Sequence, residues 1–150
     1  MWNSIKSVKL STIFTKVVMV LVMAFAVVLP VVMKKTSLNE MFVINGDEIN
    51  YILPVIYACC VIAIVALILL DKLLTNIKRD VIFIAGNVGL LRAISWCSFI
   101  AALILIFGAF FSLTFLLLAV MAGFIGLILR VVKNVFEAAV NLKAENDYTI

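Results

Sequence analysis

Cysteine is the first residue type to weigh for chemistry, because the chain has three of them and no histidine. Thiol–disulfide exchange calls for a C-x-x-C pair near an oxidising face. Cys59 and Cys60 are adjacent and Cys97 lies far along the chain, so that spacing is absent. A tetrahedral zinc site fails as well, since neither a second cysteine pair nor an imidazole completes the ligand set. All three are expected to be small packing residues. Without a nucleophile–base constellation elsewhere, the chain reads as a non-enzyme, with no catalytic residues, no cofactor and no metal. Proton relays place Asp, Glu or His at membrane depth. Here Asp71 and Lys16 fall at the ends of apolar runs, where exposure or snorkelling accounts for them.

Those runs decide the fold class. Residues 17–33, 52–70, 94–107 and 110–129 are almost wholly apolar, the composition is 67% hydrophobic, and mean hydropathy is +1.31. A bilayer core of about 30 Å needs roughly 20 apolar residues in a helix. Lipid offers no water to the backbone, which leaves helices or a closed barrel, and no run alternates as a barrel strand does. We expect an all-α integral membrane protein: a single domain over 1–150, built as an antiparallel four-transmembrane-helix bundle. The spans fall near 12–33, 52–74, 90–107 and 111–130, with a tight turn around 108–112 and a cytoplasmic helix and tail over 131–150.

Charge gives the orientation. Lys6, Lys9, Lys16, Lys72, Lys78, Arg79, Arg92, Arg130, Lys133 and Lys143 share one side, against Lys34 and Lys35 on the other. Cytoplasmic loops carry the Lys and Arg excess, so both termini are expected in the cytoplasm. The net charge of +4 is spread over three such segments, which fits anionic headgroups and predicts no direct nucleic-acid binding. Ala24 and Ala26 resemble a signal cleavage site, but Pro30 and further apolar residues follow, and a retained helix is expected.

In the fourth span, Ala119 with Gly123 and Ala122 with Gly126 form two overlapping small-xxx-small pairs. Such pairs let a neighbouring backbone approach closely, within one bundle or between copies in a homo-oligomer. Over 34–50, Asn45 and Gly46 predict a hairpin turn, with Asp47 as an alternative cap for the second span. Leu70, Leu73, Leu74 and Ile77 carry an apolar stripe beyond Asp71, predicting that the second helix projects past the membrane. Gly86 and Asn87 read as turn and cap of a helix starting near Val88. After the fourth span, Arg130, Lys133, Asn134, Glu137 and Asn141 lie opposite Val132, Phe136, Ala139 and Leu142, so the helix is expected to continue to about Ala144. That apolar face needs a cover: the second-helix extension, headgroups, a second copy or another protein.

The opening MWNSIKSVKLSTIFTK, the stretch NVGLLRAISWCSFI over 87–100 and the ending AAVNLKAENDYTI over 138–150 together resemble the bacterial four-span family catalogued as domain of unknown function 2975. The likeness covers the whole chain, and the polar ending ENDYTI is its most specific part. The segment 88–92 carries fewer basic residues than is usual in that family. Members are often encoded beside a small helix-turn-helix regulator of the Cro and phage-repressor type. The resemblance therefore implies a membrane component of a two-protein regulatory unit in the bacterial cell membrane. On that implication, Val132, Phe136, Ala139, Leu142, Glu145, Asp147, Tyr148 and Ile150 form the expected partner surface. Glu145 and Asp147 would meet a basic DNA-recognition surface, with Tyr148 and Ile150 as apolar anchors. A small transporter, channel or immunity protein against a membrane-active peptide is the reading from a different class, although four spans form a pore only by assembling.

Overall fold

A computed structural model describes residues 4–35, 49–79 and 82–148. These form four helices: α1 (Ser4–Lys35), α2 (Ile49–Lys78), α3 (Ala85–Gly108) and α4 (Leu113–Tyr148). No strand occurs among the described residues. Each helix holds a stretch long and apolar enough to cross a membrane. Close backbone approaches join α1 to α2, α2 to α3 and, most extensively, α3 to α4. Successive helices run antiparallel, so the start of α1, the end of α2, the start of α3 and the end of α4 share one end of the bundle.

Burial follows the solvent for which the sequence is built. Phe14, Val27, Leu117, Val120 and Phe124 are all more than half exposed, an outer surface that water would not tolerate but lipid tails cover. The packed interior is small. Near the α3–α4 turn, Ile52 and Phe115 meet Val55, Ile56, Leu105 and Ala109. Toward the other end, Leu73, Leu91 and Ile94 gather Leu69, Ile77, Leu129 and Phe136.

Three threonines of the apolar helices find local partners. The hydroxyls of Thr12, Thr15 and Thr75 each donate to the carbonyl four residues back, at 2.8–2.9 Å, which spares them an unsatisfied donor in hydrocarbon. Pro30 lies inside α1 and lacks the N–H that would bond the carbonyl of Ala26. Tyr57 of α2 donates its hydroxyl to that carbonyl oxygen at 3.0 Å.

The α3–α4 turn falls at 109–112, where the apolar run had to break. Gly108 is buried, and a Cβ there would come within 3.1 Å of both Phe115 and Val55. Its carbonyl accepts from the backbone N–H groups of Phe111 and Ser112 at 3.0 and 3.2 Å. The Phe111 ring stacks on Tyr51 at 5.4 Å between centroids.

Two helix boundaries differ from expectation. α3 begins at Ala85, not near Val88, and Ile84 occupies the N-cap position with no side-chain cap. Asn87 is not a cap: its amide is spent on longer-range partners, described below. α4 continues past Ala144 to Tyr148. The hairpin expected at Asn45 and Gly46, and the cap at Asp47, lie outside the described residues.

Candidate functional site

The small-residue face of α4 packs on α3. Ala119 and Gly126 are buried, and Ala122 and Gly123 are half-buried. A Cβ on Gly126 would sit 3.1 Å from the Phe99 ring, and one on Gly123 would meet the Ala102 methyl at 4.0 Å. The Ser95 hydroxyl donates to the Gly126 carbonyl oxygen at 2.9 Å. Close approach of the two backbones therefore serves this bundle internally.

At the shared end, a buried amide ties three segments together. Asn87 is fully buried. Its Oδ1 accepts from Asn76 Nδ2 at 2.7 Å, and its Nδ2 donates to the carbonyl of Ile82 at 2.7 Å. The end of α2, the connecting segment and the first turn of α3 are thus fixed together, and an amide excluded from water is satisfied. Phe83, in that connection, packs its ring 6.0 Å from Phe136.

These contacts set the rotation of α4 beyond the span. Phe136 is half-buried against Leu73, Leu91 and Ile94, and Ala139 is also half-buried. Part of the expected partner surface is therefore already covered, by the second-helix extension and the start of α3. Val132 and Leu142 stay exposed, as does Glu145. The side chains of Asp147, Tyr148 and Ile150 lie outside the described residues. The uncovered stripe is Val131, Val135, Ala138 and Leu142, all exposed, at the four- and three-residue steps of one helical face. Hydropathy alone did not separate this stripe from the Val132 and Phe136 face, because the two are adjacent on the helix.

The polar side of the extension also faces α3. Glu137 accepts from Lys133 Nζ at 2.6 Å and lies 3.6 Å from the Arg92 guanidinium. Arg130 stands over the indole of Trp96, 5.7 Å from the ring centroid, within cation–π range.

Asp71 departs from the exposed position expected for it. It is half-buried, and its Oδ1 is shielded from solvent with no hydrogen-bond partner among the described residues. A second feature is apolar: a cleft of about 490 Å3 between α1 and the rest of the bundle, lined by Val22, Phe25, Cys59, Ala63, Leu105 and Phe115. Cys59, Cys60 and Cys97 are free and half-buried. Among the described residues, no group of His, Cys, Asp and Glu could hold a metal ion.

Four long lipid-facing helices around a thin core define a multi-pass, all-helical integral membrane protein. Residues 36–150 match the family described as protein of unknown function (DUF2975), and the chain belongs to that family. No curated protein and no solved structure shows significant similarity to it.

Proposed function

We propose that this protein is a membrane-embedded regulatory protein that captures a small helix-turn-helix transcription regulator on the protruding end of α4. The observation that carries the reading is the uncovered stripe that starts at Val131, at the edge of the span, and continues over Val135, Ala138 and Leu142. It sits on a helix of 36 residues, of which about 20 suffice to cross a bilayer. About 16 residues, or roughly 24 Å, then project beyond it. An exposed apolar stripe on a protruding helix suits helix-in-groove recognition.

The kind of partner comes from the family resemblance and from charge. Glu145 and Asp147 follow the stripe in sequence, and acidic groups there would steer toward a basic DNA-recognition surface. A regulator held so would be kept from its operator. The Lys and Arg excess at this end supports a cytoplasmic location for it and for both termini, in a bacterial cell membrane.

Co-purification of the intact protein with a helix-turn-helix regulator encoded beside its gene tests this. Val135→Asp and Leu142→Asp should insert normally and lose capture, because both side chains are exposed in the free protein. Full capture by both variants, or no capture by the intact protein, would turn the reading toward transport or immunity.

A further inference from the structure

A cleft of about 250 Å3 opens between α3 and α4 at the end of their apolar stretches, lined by Arg92, Ser95, Trp96, Arg130 and Lys133. Three cations therefore converge on one small space. Ser95 is committed to the Gly126 carbonyl. Glu137 is the carboxylate at its edge, engaged by Lys133 and Arg92. Arg130 is paired with no carboxylate among the described residues and rests on the Trp96 ring. One carboxylate against three cations leaves an excess of positive charge at the cleft.

We propose that this cleft is a binding site for a phosphate group. Guanidinium groups present paired donors that match phosphate oxygens, and Lys133 adds a point charge to the same lining. Basic pockets between transmembrane helices at an interface suit anionic headgroups. Ile100 and Leu103, exposed on α3 farther into the apolar stretch, provide a surface along which the acyl chains of a seated phospholipid would lie. A phosphate ester arriving from solution carries the same recognised chemistry, and the two sources separate experimentally. The site is independent of regulator capture, since it uses none of the exposed stripe.

Trp96 is a built-in reporter. The chain has two tryptophans, so Trp2→Phe leaves Trp96 alone. The full-length protein is reconstituted with phosphatidylglycerol or phosphatidylcholine brominated on the acyl chains, and quenching gives the relative affinity of the two lipids at Trp96. A preference for phosphatidylglycerol that falls about fivefold in Arg130→Gln and again in Lys133→Gln, but not in Lys143→Gln, supports a lipid phosphate. In a second arm, glycerol phosphate is titrated into protein held in phosphatidylcholine. A saturable Trp96 response abolished by Arg130→Gln, without lipid preference, supports a phosphate from solution. Circular dichroism of each variant confirms retained helix. The proposal is overturned if neither arm responds, if a folded Arg130→Gln keeps the full response, or if Lys143→Gln loses as much as Arg130→Gln.

Discussion

Tyr57 donates its phenolic hydrogen bond to the one helix carbonyl that Pro30 leaves without its usual partner, the oxygen of Ala26, at 3.0 Å. A proline inside a membrane helix frees a carbonyl in a medium with no water to satisfy it, and neighbouring helices supply the substitute donor. Here one tyrosine both repairs α1 and fastens it to α2.

Removing that hydroxyl is expected to cost about 1 kcal/mol of resistance to unfolding in mixed micelles. The telling comparison is a double-mutant cycle. In a Pro30→Ala background the Ala26 carbonyl regains an N–H from its own helix, and Tyr57→Phe should then cost much less. Equal cost in both backgrounds would disprove the repair role.

Two glycine substitutions should behave oppositely. Gly126→Ala drives a methyl to within 3.1 Å of the Phe99 ring and should destabilise the α3–α4 pair by about 1–3 kcal/mol, the usual cost of overpacking. Phe99→Leu in the same chain should recover part of it. Gly89→Ala meets nothing within 4 Å and should be neutral or stabilising, by up to about 1 kcal/mol, through helix propensity. Thermal unfolding in detergent ranks the variants, and a reversed order would contradict the packing described.

Asn87→Ala strips Asn76 and the Ile82 carbonyl of a buried partner at once. A loss of about 1–3 kcal/mol is expected for each group left unsatisfied. Hydrogen exchange should rise first where α2 ends and α3 begins, and unchanged protection there would show that the amide is not what joins them.

The expected topology is checked by cysteine labelling in a background where Cys59, Cys60 and Cys97 are replaced by Ala. In intact cells an impermeant thiol reagent should modify Ser37→Cys and leave Lys143→Cys untouched until the membrane is permeabilised. The opposite pattern would invert the orientation.

Four helices and a charge-biased end were legible because lipid imposes a strong rule on composition: long apolar runs must be helices, and cations mark their ends. Small residues on α4 announced a close helix contact, but not that Phe99 and Ser95 of α3 supply it. What escaped was tertiary. Asn87 carries the local signature of a cap, and only the proximity of Asn76 explains why its amide turns elsewhere. The rotation of α4 likewise depends on which apolar flank finds Leu73 and Leu91. Phe136 went inward for that reason, and Val131 and Val135 were left outside.

Because α4 has no break between Leu113 and Tyr148, the stretch packed on α3 and the end beyond it behave mechanically as one rigid rod. With about 24 Å of arm, a change in tilt of about 10° swings its far end by about 4 Å. Tilt responds to hydrocarbon thickness. A helix without a hinge would carry stretching or thinning of the lipid around α4 to its far end as a displacement comparable to the width of a side chain.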